Sequence, residues 1–175
     1  MRLIGLSGWS GSGKTQLITA LLPALRARGR TVSTVKHAHH SFDIDRPGKD
    51  SFAHREAGAE EVLISSGRRW ALMRELRGAA EPSLPELLGR LAAVDLVLIE
   101  GFKRQAHPKI EVHRAAVGKP LLYPDDPQMV AIASDPPLGE APIPHVSLND
   151  IAAIADLVER HAVGVEQVAW GPLRP

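Results

Sequence analysis

The chain has 175 residues, 44% hydrophobic and 23% charged, with a formal net charge of +1. That length suits one compact domain with a substantial apolar core, and a charge so near balance gives no hint of a nucleic-acid surface. The absence of cysteine excludes disulfides, thiol chemistry and cysteine-ligated zinc or iron–sulfur centres and fits a reducing cytoplasm, while the N-terminus lacks the long apolar stretch of a signal peptide or membrane span.

In chain order, residues 2–7 read as a buried strand and 8–13 as its glycine-rich turn. Residues 14–28 read as a helix on Leu17, Ile18, Leu21, Leu22 and Leu25, with Pro23 placed to kink it and Gly29 to end it. The β-branched run 31–35 is a second strand, so strand, helix and strand form a right-handed parallel βαβ unit. Residues 36–50 are polar, rich in His and Asp and contain Pro47 and Gly48; loops of that length seldom serve packing alone. A short helix at 51–57 ends at Gly58, a strand starts at 61–64, and 69–76 pairs with it as a hairpin that buries Trp70. Ser83 and Glu86 form a capping box for a helix through Ala92, and 96–99 is a fully apolar central strand. Residues 109–113 alternate as a more exposed strand, 129–133 form a buried one, and Asn149 caps a final helix over 150–161.

Gly8, Trp9, Ser10, Gly11, Ser12, Gly13, Lys14 and Thr15 spell GWSGSGKT, the P-loop pattern, between a buried strand and a helix as its mechanism requires. Glycines let the backbone N–H groups curl inward around phosphate oxygens, and the helix N-terminus adds partial positive charge. Lys14 should reach the β- and γ-phosphates and Thr15 a magnesium ion; Gln16 stands where a second hydroxyl residue is common, which leaves that metal ligand intact. A P-loop site also needs a carboxylate at the end of a neighbouring strand. Asp95 and Glu100 are separated by about 16 Å along an extended strand, so both cannot serve one metal. Glu100 stands at the carboxyl end, where ligands collect, with Gly101 beside it to admit phosphate; an edge carboxylate paired with Lys103 or Arg104 is the plainer reading. The expected fold is α/β, a P-loop three-layer sandwich with a mostly parallel sheet, helices on both faces and a β-hairpin extension. It forms a single nucleotide-binding domain over residues 1–163, with a flexible tail at 164–175.

The loop after the second strand holds His37, His39, His40, Asp43, Asp45, Lys49 and Asp50. Asp45 or Asp43 is placed to orient magnesium-bound water, and Lys36 or Lys49 to face phosphates. The three imidazoles suggest a metal cluster, but no spacing fixes its geometry. Binding of an anionic partner molecule through His37, His39, Lys49 and Arg55 is the better functional use. Arg68, Arg69 and Trp70 combine cations with an aromatic face suited to a flat anion. Asp135 follows a buried strand and reads equally as an acceptor for both N–H groups of a guanine edge or as a turn residue before Pro136.

Together GWSGSGKT, KHAHHSFDIDRPGKDS, RRWALM, DLVLIEGFK and IASD resemble the molybdopterin-guanine dinucleotide biosynthesis adapter family, over most of residues 3–160. The resemblance implies a dimeric SIMIBI-class GTP-binding protein with weak GTPase activity at most. Such a protein assists the molybdenum cofactor guanylyltransferase, a MobA-like enzyme, in joining GMP to molybdopterin, with no nucleic-acid or membrane partner. By position, Gly11, Gly13, Lys14 and Thr15 would hold GTP phosphates, Glu100 and Asp45 would serve Mg2+ beside Thr15, and Asp135 would contact guanine. Two other readings use the same P-loop. One is a small-molecule kinase, with an arginine-bearing lid drawn from Arg68, Arg69, Arg74 and Arg77; the other is a metal-delivering GTPase using the histidine cluster.

Overall fold

Short apolar runs alternate with amphipathic segments along the chain, and in the computed structural model, which describes residues 1–38 and 42–171, they build an α/β fold. The strands are β1 (Arg2–Ser7), β2 (Val32–Lys36), β3 (Glu61–Ser65), β4 (Trp70–Arg74), β5 (Leu96–Glu100), β6 (Lys109–Arg114), β7 (Met129–Asp135), β8 (His145–Ser147) and β9 (Val163–Gly164). The helices are α1 (Lys14–Ala27), α2 (Asp50–Glu56), α3 (Leu84–Leu88) and α4 (Ile151–His161). Seven strands form one sheet in the order β2-β5-β1-β6-β7-β8, all parallel, with β9 antiparallel to β1. The chain divides into two compact units, Met1–His37 with Leu87–Pro175, and Ala38–Glu86, where the sequence had suggested one domain over 1–163.

One face of the large sheet is apolar by alternation. Ile4, Leu6, Leu98, Ile110, Val112, Ala131 and Ala133 point to the same cluster as Leu17, Leu21 and Leu25 of α1 and Ile154, Leu157 and Val158 of α4. Pro23 lies inside α1 without ending it. Arg28, at the end of α1, ties the two helices by reaching Asp156 at 2.6 Å and Glu159 at 2.8 Å. The cap of α4 is Asp150, whose carboxylate accepts the N–H of Ala153 at 3.0 Å; the expected cap, Asn149, is one residue too early. The expected loose tail starts inside the sheet, since Val163 and Gly164 pair with Leu3 and Arg2, and Trp170 Nε1 donates to the Val165 carbonyl at 3.2 Å.

The expectation of an exposed strand at 109–113 is corrected by β6, which lies between β1 and β7 with Lys109 and Glu111 both buried. Their alternation is real, but the polar face is roofed by loops. Lys109 Nζ donates to the Gln105 carbonyl at 2.7 Å and pairs with Asp126 at 3.1 Å. Glu111 accepts the N–H groups of Leu122 and Tyr123 at 2.7 and 2.9 Å. Burial raises the Glu111 carboxyl above its ordinary value, those two donors opposing it, and burial lowers neighbouring His107 to about 3, so that it is neutral.

In the smaller unit β3 and β4 form the expected hairpin, but with Trp70 67% exposed and not buried. Pairing register explains this: Ser65 opposite Trp70 and Leu63 opposite Leu72 share one face, while Val62 and Met73 turn their buried side chains to the other. The Ser83–Glu86 capping box is present, with the Ser83 hydroxyl donating to Glu86 at 2.6 Å, though its helix ends at Leu88 and not Ala92.

Asp126 supplies a carboxylate to the buried Lys109 ammonium at 3.1 Å, and its removal takes away an ion pair made at a desolvated charge. Asp126→Ala should lower the free energy of unfolding by about 3 kcal/mol in denaturant titration, whereas Glu60→Ala, at an exposed side chain, should change it by less than about 0.5 kcal/mol.

Candidate functional site

The P-loop leaves β1 at the carboxyl edge of the sheet and enters α1 through Gly13, whose φ of +94° is a left-handed conformation that side chains resist. Gly8 is required for a different reason: a Cβ there would lie 2.3 Å from the Val112 carbonyl oxygen of β6 and 2.7 Å from Ser12 Oγ. The loop is therefore pressed against the neighbouring strand. Lys14 extends over it, its ammonium donating to the carbonyls of Gly8 at 3.0 Å and Trp9 at 2.8 Å. Burial, then the nearby charge of Lys103, lowers the Lys14 pKa from the ordinary lysine value.

Parallel pairing of β1 with β5 sets Leu6 opposite Glu100, and Thr15 at the start of α1 donates its hydroxyl to Glu100 Oε1 at 3.2 Å. Two oxygens at right angles on an octahedral magnesium, each 2.0–2.1 Å away, lie about 2.9 Å apart, so these two groups fit adjacent positions on one ion. The carboxylate faces Lys36 Nζ at 3.5 Å, a different cation from the expected Lys103 or Arg104. Asp95 belongs to the opposite end of β5, where it accepts the N–H and hydroxyl of Thr31 at 2.8 and 2.7 Å. The close approach that Gly101 permits is to His37: a Cβ at Gly101 would come 2.8 Å from the His37 Cβ.

Several supporting residues escape a sequence reading. The segment after β6 brackets the P-loop. Arg114 lies beside Gly13, Val117 beside Gly11, and the Pro120 carbonyl accepts Trp9 Nε1–H at 2.8 Å. Lys103 and Lys119 stand 5.5 and 5.7 Å from the centre of the Trp9 ring, within cation–π range. Glu111 fixes this bracket from below through Leu122 and Tyr123. Ser10 and Gln16 are exposed at the mouth of the loop. Asp135, at the end of β7, is paired with Arg114 at 2.7 Å.

Other expected residues lie in the smaller unit. Asp45 Oδ1 accepts the Ser51 hydroxyl at 3.0 Å and the Arg46 N–H at 2.9 Å. Asp43 and Arg55 are joined by two contacts of 2.8 Å, which hold the Asp43 carboxyl well below its ordinary value. Arg55 also faces Glu75 at 3.4 Å, so the expected use of Arg55 toward an anionic molecule gives way to internal ion pairs. Arg74 faces Glu61, and Arg77 donates to the carbonyls of Arg55 and Ala59, which fastens two arginines of the supposed lid to the hairpin unit. His39 and His40 lie outside the described residues. Among the described residues no group of three His, Asp or Glu is arranged to hold a metal ion, and no helix is long and apolar enough to cross a membrane.

A mostly parallel sheet with a P-loop at its carboxyl edge and a strand-end carboxylate against the P-loop threonine defines a P-loop protein of the nucleotide-binding α/β class. The family model described as molybdopterin guanine dinucleotide synthesis protein B, MobB, matches residues 3–135. A molybdopterin-guanine dinucleotide biosynthesis adapter protein of Escherichia coli strain K12 is 41% identical over 159 residues, 89% of this chain and 90% of the relative. A protein of the same name from Haemophilus influenzae is 42% identical over 158 residues, 90% of this chain and 87% of the relative. A crystal structure of molybdopterin-guanine biosynthesis protein B superposes with a TM-score of 0.71 at 27% identity, covering 90% of this chain and 98% of that one. The chain belongs to the MobB family.

Because a Cβ at Gly8 would overlap the Val112 carbonyl oxygen of β6, a strand paired on both sides, Gly8→Ala should both lower the melting temperature by several degrees, as a substitution costing about 1–3 kcal/mol does, and abolish any binding of nucleotide at the P-loop. Gly139→Ala, where a Cβ meets nothing within 4 Å, is the matched control in thermal melts and calorimetry.

Proposed function

We propose that this chain is a GTP-binding adapter in molybdenum cofactor biosynthesis, assisting the attachment of GMP to molybdopterin to form molybdopterin guanine dinucleotide, with GTP hydrolysis weak at most. The observation that carries the nucleotide part is the Thr15–Glu100 contact at 3.2 Å beside a complete P-loop. GTP phosphates are held by the N–H groups of residues 8–16 and by Lys14, whose ammonium exchanges the carbonyls of Gly8 and Trp9 for phosphate oxygens. Mg2+ is held by Thr15 and Glu100. Magnesium supplies charge compensation between the phosphates and orients them. The guanine contact assigned to Asp135 is supported by its position at the carboxyl end of β7, an edge where ligands of parallel sheets collect. A magnesium role for Asp45 rests on the resemblance and not on a distance.

The partner is a MobA-like molybdenum cofactor guanylyltransferase, and molybdopterin is the small molecule delivered between them. A homodimer is supported by the apolar hairpin face, where Leu63, Trp70 and Leu72 are 62%, 67% and 41% exposed; contiguous apolar faces of this kind mark interaction surfaces.

Lys14→Ala should weaken GTP binding at least about 100-fold, since a hydrogen-bonded charge is lost at each phosphate it reaches, while leaving the melting curve unchanged. Unaltered GTP affinity would remove the site assignment. Calorimetry with GTP, ATP and the guanylyltransferase should give tighter binding of GTP than ATP and a measurable complex with the enzyme; equal nucleotide affinities with no complex would favour a small-molecule kinase. Leu72→Glu should convert a sedimenting dimer to monomer.

A further inference from the structure

Arg114 is the last residue of β6 and Asp135 the last of β7, and the parallel register sets them directly opposite each other. Arg114 Nη1 donates to Asp135 Oδ2 at 2.7 Å, with the two side chains 33% and 36% exposed. The same guanidinium reaches toward the phosphate loop: a Cβ on Gly13 would lie 3.5 Å from Arg114 Nη2 and 4.0 Å from its Nε, with Gln16 Oε1 also at 3.5 Å. One planar group thus spans from the turn that receives phosphate to the carboxylate at the end of β7. Glu100 and Thr15 fix the metal end of the site on the β5 side of the P-loop, while Arg114 and Asp135 lie on the β6 and β7 side. Two strand spacings, about 10 Å, separate β1 from β7, a gap that the ribose and base of a nucleotide span together.

We propose that Arg114 is a specificity-determining positioning residue that holds the Asp135 carboxylate in the plane needed to read guanine and ties that reader to the phosphate loop. The proposal rests on the GTP-binding reading above. An ionised carboxylate offers about four lone-pair directions over its two oxygens. Arg114 occupies one on Oδ2, leaving acceptors for the N1–H and the exocyclic amino group of guanine. The guanidinium fork is rigid and permanently charged, so it fixes the carboxylate's rotation in a way a flexible ammonium does not. Adenine presents an acceptor, N1, where guanine presents a donor, and its lone pair would face the carboxylate. Discrimination then comes from a repulsive contact as well as an attractive one. Asp135 and the phosphate loop each lie in a short motif, but Arg114 does not, because only strand pairing joins it to them.

The test is calorimetry with GTP, ATP and XTP on the full-length wild-type chain and on Arg114→Ala, Arg114→Lys and Asp135→Asn, with melting curves as folding controls. Arg114→Ala should lose at least about tenfold in GTP affinity, the worth of a hydrogen bond that orients a charged acceptor. Its ATP affinity should change less than about threefold, so that the GTP-to-ATP ratio falls. Arg114→Lys, which keeps the charge without the fork, should recover only part of that ratio, and it decides the matter if the alanine variant fails to fold. Asp135→Asn should lose GTP and gain XTP, whose C2 carbonyl accepts the asparagine amide. Equal loss of GTP and ATP in Arg114→Ala would make the residue a phosphate contact and overturn the proposal, as would an unchanged ratio with a lowered melting temperature. GTP binding that survives Lys14→Ala would instead overturn the underlying site.

Discussion

Everything at the candidate site depends on the parallel pairing of β1 with β5, in which Leu6 stands opposite Glu100. A parallel pair presents both carboxyl ends at one edge, and the turn out of β1 brings Thr15 back to within 3.2 Å of the carboxylate that ends β5. A shift of one residue would turn Glu100 to the other face of the sheet, separating the hydroxyl from the acid. Register is defended by the core: Ile4, Leu6, Leu96 and Leu98 are all essentially buried against α1 and α4, so a slip would exchange that entire apolar set for the opposite face. The chemistry of the site is thus secured by hydrophobic alternation on strands that themselves carry only one of its functional groups.

The strand on the other side of β1 plays a complementary part. β6 is central, and its polar residues are buried beneath loops that they hold in turn. Glu111 binds the backbone of residues 122–123, the same stretch of chain supplies the Pro120 carbonyl to Trp9, and Val112 presses its carbonyl oxygen toward Gly8. Desolvating Glu111 costs free energy, as its raised pKa reflects, and the two N–H donors offset part of that cost. The P-loop consequently rests on a strand and a pinned segment, a preorganised arrangement that reduces the entropy to be lost when phosphate enters.

The P-loop itself is legible because its backbone constrains adjacent residues: the left-handed turns fall on Gly11 and Gly13, and α1 starts at Lys14 and Thr15, all within one short segment. The choice of Glu100 over Asp95 followed from strand direction alone and agrees with where the two carboxylates lie. What was not legible depends on contacts remote in sequence. Lys109 and Glu111 alternate as a solvent-facing strand would, and only the loops carrying Gln105, Leu122 and Asp126 reveal that this face is covered. Trp70 reads as a core residue by composition, yet its face follows from the hairpin register. Arg114 gives no local signal, since its partner lies 21 residues away across a strand pair. The cap at Asp150 was displaced by one residue, an ambiguity between neighbouring Asn and Asp that only the accepted N–H of Ala153 resolves.

In the proposed site, Thr15 and Glu100 act together on a magnesium ion that accompanies the nucleotide. The most direct measurement is GTP titration by calorimetry with and without Mg2+, on the wild-type chain and on Glu100→Gln, which keeps the size of the side chain and removes its charge. If the two residues share the ion, Mg2+ should strengthen GTP binding to the wild type by at least about tenfold, the scale of a charge-assisted contact, and Glu100→Gln should lose most of this gain while still binding GTP in the absence of the metal. An identical Mg2+ dependence in both proteins would contradict a shared ion.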